Sequence, residues 1–179
     1  MMLNKYAVAF GFVASLVAVP GMALASGNTI SFQGEVADET CEVSVNGNNA
    51  APVVLLPTVS SSQLNAAGKA AGETSFDIGV SGCTGDADGM TVSTVFVGNQ
   101  VTSTGNLGNT GTAKNVELQI LDTKGKEINF TNGFTGDGDL ELGPNETSAS
   151  ASYTAQYLAT GAATPGSVTS TLQYAISYQ

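Results

Sequence analysis

Short runs of apolar residues at every second position recur along the chain, separated by polar segments. This alternation is typical of β-strands with one buried face. The runs predict strands at eight places: Ile30, Phe32 and Val36; Cys41, Val43 and Val45; Val53–Leu56; Phe76, Ile78 and Val80; Val95 and Val97; Val116, Leu118 and Ile120; Tyr153, Ala155 and Tyr157; and Val168–Tyr178. Their number and close spacing predict an all-β sandwich, and no linker divides it.

The segments between the runs contain residues that favour turns. Four dipeptides supply residues that tolerate positive φ: Asn46-Gly47, Asp88-Gly89, Asn132-Gly133 and Asp137-Gly138. Ser60–Ala67 predicts the one helical turn, with a serine cap within Ser60–Ser62. Asn99–Thr112 is long and polar, and it predicts an exposed loop.

The first residues predict an export signal rather than folded structure. Lys5 precedes an apolar stretch, Tyr6–Val19, which is followed by Pro20 and by small residues up to Ala25. This order is that of a secretory signal peptide, and the stretch is shorter than the roughly 20 residues of a membrane span. We therefore expect residues 1–25 to be removed, by cleavage after Ala25 or alternatively after Ala23, which leaves one exported domain without a membrane anchor.

Two cysteines remain in the exported part, Cys41 and Cys83. In an oxidising compartment an even pair predicts one disulfide, which would stabilise the fold by about 4 kcal/mol on the chain-entropy model. Two buried free thiols are the alternative.

The composition argues against several classes of function. After processing the chain keeps four lysines, no arginine and 15 acidic residues, a net charge of −11. Nucleic acid and anionic membranes are therefore unsuitable partners, because phosphate binding needs clustered cations. The chain has no histidine, so imidazole-based triads and zinc sites are excluded.

The remaining acidic clusters are better interpreted as solvated turns than as metal or catalytic sites. Asp137, Asp139 and Glu141 alternate, but a calcium loop starting at Asp137 would place Leu142 and Ser148 where glycine and glutamate are needed. No glycine-rich phosphate loop is present, and the lack of Trp argues against a sugar-cleaving carboxylate pair. We predict no enzymatic activity, no metal and no cofactor.

The end of the chain carries the sharpest pattern. One parity holds five apolar residues: Val168, Leu172, Tyr174, Ile176 and Tyr178. A strand with so apolar a face must be covered, because exposed apolar edges recruit other chains. An ordinary central strand of a closed sandwich is the alternative.

The start of the exported chain complements that pattern. Asn28, Ile30 and Phe32 share one parity of a short segment that precedes the first cysteine. The alternative is that this segment is simply the start of the first strand. If the sandwich lacks an edge strand, an extended segment from another molecule can fill the resulting groove, as in donor-strand complementation. Such head-to-tail contacts generate open filaments.

These residues resemble the fimbrial pilins of the chaperone–usher pathway, specifically the type 1 pilin group, across the whole exported chain. The resemblance is carried by the segment from Phe32 to Val36, the Gly82-Cys83 pair, residues 115–122 and the ending from Tyr157 onward. In that family a glycine fourteenth from the C-terminus and a penultimate tyrosine mark the strand that the chaperone recognises. Gly166 and Tyr178 occupy those positions.

The resemblance implies an incomplete immunoglobulin-like sandwich that lacks its final strand and is completed by donor-strand exchange. It further implies a disulfide between the first two core strands, a donor extension at residues 26–33 and a pilin domain at residues 34–179. The expected partners are a periplasmic chaperone, an outer-membrane usher and neighbouring pilin subunits, and the expected location is a surface fimbria that supports adhesion. The alternatives are a minor or adaptor pilin and a stand-alone secreted β-sandwich that binds carbohydrate.

Overall fold

Eight strands and one short 3₁₀ helix make up the regular structure of the described residues. The structure is a computed structural model, and it describes residues 41–84, 86 and 88–178. The strands are β1 (Glu42–Val45), β2 (Ala70–Ser81), β3 (Met90–Gly98), β4 (Val116–Leu121), β5 (Phe134–Thr135), β6 (Leu140–Leu142), β7 (Ser148–Ala159) and β8 (Leu172–Tyr178), and the helix is Ser61–Leu64. The chain is thus all-β, as the alternating runs predict.

The strands form two antiparallel sheets that pack face to face. The first sheet has the order β1-β2-β7-β4. In the second sheet β3 is central. β5 and β6 pair with one edge of β3, and all seven residues of β8 pair with the other edge. The expected Ile30–Val36 strand and the boundaries of the signal and extension segments lie outside the described residues.

Aromatic side chains from both sheets meet in the core. Tyr153 of β7 packs edge-on against Phe96 of β3, with ring centroids 4.9 Å apart, and stacks against Phe76 of β2 at 5.8 Å. Such pairs contribute about 0.5–1.5 kcal/mol each beyond the burial of their area. Because Phe96 and Tyr153 are almost fully buried, these contacts hold the two sheets together.

Most local predictions are confirmed. Asn46 and Gly47 both have positive φ, so this turn has the left-handed conformation that its residues favour. Ser60 caps the 3₁₀ helix, where its hydroxyl accepts the backbone N–H of Ser62.

Three predictions need correction. On β3 the buried parity is Val92, Thr94 and Phe96, and Val97 is 45% exposed, so the expected Val95/Val97 core face is wrong. Both parities of this strand carry β-branched residues, and the largest side chain, Phe96, decides which one faces inward. The last strand begins at Leu172 rather than at Val168, because residues 167–169 bond instead to residues 110–113.

The predicted exposed loop at residues 99–112 is partly buried. Leu107 is only 1% exposed, and its backbone N–H and C=O both bond to Leu118 of β4. Because the loop folds back onto the edge of the first sheet, the side chain of Leu107 becomes part of the core.

A polar inter-sheet clasp, made by Thr94, Asp139 and Tyr153, crosses the interior. The carboxylate of Asp139 accepts the Thr94 backbone N–H at 3.0 Å, the Thr94 hydroxyl at 2.6 Å and the Tyr153 hydroxyl at 2.6 Å. Burial raises the pKa of the Tyr153 hydroxyl well above its usual value, and the bond to Asp139 raises it further. Tyr153 therefore stays a neutral donor and links β7 to the second sheet.

Replacing Tyr153 by Phe removes one bond of the clasp while leaving the ring packing. We expect Tyr153→Phe to lower the free energy of unfolding by about 1–3 kcal/mol at neutral pH, measured by guanidinium unfolding of the purified oxidised chain. Because the folded-state pKa is raised, the stabilisation is complete below about pH 10 and declines above it, where only the unfolded chain loses the proton. The variant should show a smaller alkaline decline than the unmodified chain.

The matched control is Tyr157→Phe, whose hydroxyl makes only a 3.3 Å bond to the Pro57 carbonyl near the surface. An equal loss in the two variants, or an unchanged alkaline decline in Tyr153→Phe, would contradict the role given to the clasp.

Candidate functional site

The last strand has one edge that no described strand pairs with. β8 runs antiparallel to β3 from Val92↔Tyr178 to Gly98↔Leu172, and β3 is its sole partner among the strands of residues 41–178 that the structure describes. Within the described residues, no strand uses the other edge of β8, and an edge of this kind is a template for a further strand.

The side chains of β8 confirm the predicted parity. Leu172, Tyr174, Ile176 and Tyr178 are half-buried and pack against the main core, whereas Gln173 and Ala175 are exposed. The apolar face of the strand is thus turned inward but only partly covered.

Residues 52–59 form the opposite wall of an apolar groove, which we define as the space between this segment and residues 163–178. Val54 and Leu56 pack against the main core, while Val53 and Leu55, which alternate with them, are 74% and 81% exposed. The segment belongs to no ladder of the described residues, and its prolines lack the N–H that pairing would use. The strand predicted at Val53–Leu56 is therefore wrong: the run is half-buried, but it pairs with no described strand.

Two cavities lie in line along the groove. One of about 380 Å³ adjoins β8, and its lining includes Val54, Leu56, Phe76, Phe96, Leu118, Leu172 and Tyr174. The other, of about 400 Å³, lies toward Gly166, and its lining includes Val59, Leu64, Ala113, Tyr157, Gly166 and Val168. No lining residue of either cavity is charged, so the groove suits apolar side chains presented at intervals along an extended chain.

Gly166 lies where the chain crosses another backbone segment at close range. A Cβ at this position would be 2.4 Å from the Ala113 nitrogen and 2.8 Å from the Thr112 carbonyl carbon. The contact is fixed by the bond from the Ala113 N–H to the Ser167 carbonyl at 3.0 Å. The position excludes any side chain because of this crossing, and it lies outside β8, as does Val168, which packs on the smaller cluster with Leu64 and Ala113.

The opposite end of β8 is fastened beside a disulfide. Cys41 and Cys83 are bonded, with their Cα atoms 4.3 Å apart, which confirms the predicted pair and links the start of β1 to the end of β2. The Cys41 backbone N–H donates to the Tyr178 hydroxyl at 2.7 Å. Tyr178 therefore ties the C-terminal strand to the first sheet next to the covalent link.

Sequence reasoning found one wall of the groove but missed the other. It singled out Gly166 and Val168, which line one cavity, Leu172 and Tyr174, which line the other, and Ile176 and Tyr178, which lie further along β8 outside both linings. It did not assign Val54, Leu56 or Val59 to the site, although the apolar run bracketed by Pro52 and Pro57 was the signal that could have done so. The expected donor residues Asn28, Ile30 and Phe32 lie outside the described residues.

The described residues offer little other chemistry. They contain no group of three or more Cys, Asp or Glu side chains placed to hold a metal ion. Their only helix falls far below the length of a membrane span. Burial raises the pKa of the Tyr157 hydroxyl at the groove, so this residue contributes a neutral donor and an apolar ring.

A family model described as fimbrial protein matches residues 30–179 of the chain. The chain belongs to this family. It is a structural subunit of a fimbria that assembles with other pilin subunits, and its place is in the surface fimbria. The chain is similar to a fimbrial protein of Escherichia coli, with 39% identity covering 87% of this chain and 89% of the relative. It is also similar to a major fimbrial subunit of Stenotrophomonas maltophilia, with 37% identity covering 91% and 99%.

The fold agrees with this membership. A solved chaperone–usher pilus structure superposes with a TM-score of 0.59 at 21% identity, covering 90% of this pilin and all of that chain. The pilin therefore has the immunoglobulin-like sandwich of solved pilus subunits.

Adding a side chain at the backbone crossing tests the position of Gly166. We expect Gly166→Ala to destabilise the pilin by about 1–3 kcal/mol, as overpacked sites do, because the added Cβ would meet the backbone of Ala113. The measurement is the guanidinium midpoint together with the amount of full-length pilin in cell extracts.

Gly161→Ala is the matched control, because its Cβ would meet Asn115 at an ordinary 3.5 Å. If both variants were as stable as the unmodified pilin, Gly166 would not be held against the 112–113 backbone.

Proposed function

We propose that the apolar groove accepts an extended segment from a neighbouring subunit and that the fimbria grows by this donor-strand exchange. The observation that carries the proposal is the edge of β8 with which no described strand pairs. It faces residues 52–56 across the cavity of about 380 Å³, the cavity of about 400 Å³ continues the groove toward Gly166, and the apolar side chains of β8 are half-buried.

An added strand would both hydrogen-bond to the backbone of β8 and cover its half-buried apolar side chains. Its backbone would bond to the edge of β8 opposite β3, and every second side chain would enter the groove, which is the mode of β-augmentation. Each large apolar side chain so buried contributes about 1.5–3 kcal/mol. A compact ligand would fill one cavity but would leave the strand edge without partners.

Residues 26–33 of a neighbouring copy are the proposed donor. They are uncharged and carry Asn28, Ile30 and Phe32 at alternate positions, which matches an uncharged groove. Eight extended residues span roughly 26 Å, close to the roughly 23 Å of the seven residues of β8. The length of the donor therefore suits β8, and its lack of charge suits the groove.

The proposed contact joins two different surfaces, an N-terminal segment and a groove. Such a heterologous contact does not close on itself, so it propagates an open filament. This supports a role in the shaft of the fimbria, where each copy both donates and accepts, and the shaft in turn supports adhesion of the cell.

The groove needs a cover before polymerisation, because a half-exposed core aggregates or is degraded. We propose that a chaperone in the periplasm supplies a temporary strand to β8, and that an outer-membrane usher exchanges it for the next subunit's residues 26–33. The export signal at residues 1–25 is the proposed start of this route to the cell surface.

Removing the two large apolar side chains of the donor segment tests the proposal. We expect Ile30→Ser with Phe32→Ser to abolish fibres, because two large side chains no longer enter the cavities, while the amount of pilin bound to its chaperone stays unchanged. Electron microscopy of cells that express the pilin with a matched chaperone and usher counts the fibres, and co-purification measures chaperone binding.

Thr29→Ala with Ser31→Ala is the control, since it changes the opposite phase of the same segment and should leave fibres intact. Normal fibres from the first variant, or equal loss of fibres from both, would refute the assignment of the donor face.

A further inference from the structure

Residues 160–171 connect β7 to β8 without belonging to a strand, although six of them line the cavity of about 400 Å³, which we call the Gly166 cavity. Residues 109–115, which also lie outside the strands, hold this connection in place. The Ala113 N–H donates to the Ser167 carbonyl at 3.0 Å, and the Thr110 N–H donates to the Thr169 carbonyl at 2.8 Å. The shape of the Gly166 cavity therefore depends on how these two loops are joined.

The side-chain amide of Asn109 joins the two loops from behind the cavity wall. Its oxygen accepts the Gly111 N–H at 2.7 Å and the Thr169 N–H at 2.9 Å, and its nitrogen donates to the Ala113 carbonyl at 2.9 Å. One half-buried side chain thus bonds three backbone groups that lie outside the strands. Because unpaired backbone groups cost free energy when they are removed from water, Asn109 stabilises this arrangement of the loops.

Gly111 lets the two loops approach closely. A Cβ at this position would meet the Ser167 carbonyl group, at 2.6 Å from its carbon. Gly166 has the reciprocal position, since a Cβ there would meet the backbone of Ala113. Each loop therefore contributes one glycine to the crossing, and neither glycine can be replaced by a residue with a side chain without moving the other loop.

We propose that Asn109 and Gly111 position the wall of the Gly166 cavity, and that this wall holds one of the two large side chains of the donor, Ile30 or Phe32. The inference rests on the proposed function. Neither Asn109 nor Gly111 lines the cavity itself. They act as positioning residues, because the backbone groups that they contact belong to cavity-lining residues or to their immediate neighbours.

A wall that is fixed in advance lengthens the lifetime of the bound donor. The donor side chain then enters a cavity that needs little reorganisation, and preorganisation of this kind favours binding. Without the Asn109 bonds, the loops would have to be ordered when the donor binds. We expect that cost to appear mainly as faster release, because closely related complexes differ chiefly in their release rates.

The other cavity of the groove should depend much less on Asn109. It has a volume of about 380 Å³, and most of its lining comes from strands of the two sheets, including Phe76 of β2, Phe96 of β3, Leu118 of β4 and Tyr174 of β8. The ladders of the two sheets fix these side chains. A change at Asn109 should therefore affect the donor side chain in one cavity and spare the side chain in the other.

Release of a donor peptide tests the inference. The acceptor is the processed chain with Ile30→Ser and Phe32→Ser, so that it cannot serve as its own donor. A labelled peptide of residues 26–33 is bound and then displaced by unlabelled peptide. We expect Asn109→Ala to speed release about tenfold, as the loss of bonds to backbone groups does at roughly 1.4 kcal/mol.

Peptides with Ile30→Ala or Phe32→Ala complete a double-mutant cycle. With one of them the acceleration caused by Asn109→Ala should fall below about twofold, because the shortened side chain no longer uses the positioned wall. With the other peptide the full acceleration should persist. A role confined to general stability would instead speed the release of all three peptides equally.

Asn106→Ala is the matched control. Asn106 lies in the same loop and is only 6% exposed, but its side chain bonds to Thr104 and Glu117 and lines neither cavity. This variant should leave release unchanged, even where it lowers the guanidinium midpoint.

Unchanged release from Asn109→Ala, equal acceleration in Asn106→Ala, or equal acceleration with all three peptides would each overturn the inference. If Asn109→Ala does not fold, Asn109→Asp replaces it, since the carboxylate keeps the two accepted bonds and loses only the donation to Ala113. The same coupling to one peptide position is expected, and its absence would also overturn the inference. Failure of the acceptor with Asn109 intact to bind the unmodified peptide would instead refute the proposed function.

Discussion

The edge of β8 that pairs with none of the described strands is the constraint on which the groove depends. Its inward side chains reach the core but stay half-exposed, and its outer backbone groups face segment 52–59 across a gap rather than across a ladder. An occupant that buried the side chains of β8 without hydrogen-bonding its backbone would leave buried polar groups without partners, which costs free energy. An occupant that bonded only the backbone would leave the apolar side chains exposed to water. An extended chain segment satisfies both, which is why we propose a strand rather than a small ligand as the occupant.

The remaining features keep the groove in shape. The disulfide and the bond from Cys41 to Tyr178 fix one end, and the close crossing at Gly166 fixes the other. The clasp of Thr94, Asp139 and Tyr153 links the sheets beneath it. A groove held at both ends and below needs little reorganisation to receive a strand, and preorganisation of this kind favours binding.

Period-two alternation was enough to predict the fold class and the inward face of β8, because a two-layer sandwich imposes that period on each strand. The even pair of cysteines in an exported chain was enough to predict the disulfide. The alternation failed on β3, where Val95 and Val97 alternate as regularly as Val92 and Phe96, so that only packing decides the inward parity. It also failed on segment 52–59, because an apolar run between prolines does not show whether a strand will find a partner. The burial of Leu107 depends on a contact with β4 that no local pattern encodes.

Hydrogen exchange at β8 tests the central claim most directly. In the processed pilin kept free of any donor, the amides of Leu172–Tyr178 that point away from β3 should exchange rapidly. Adding a peptide of residues 26–33 should protect them, and a peptide with serine in place of Ile30 and Phe32 should not. Full protection in the lone chain, or no gain on adding the peptide, would contradict the account.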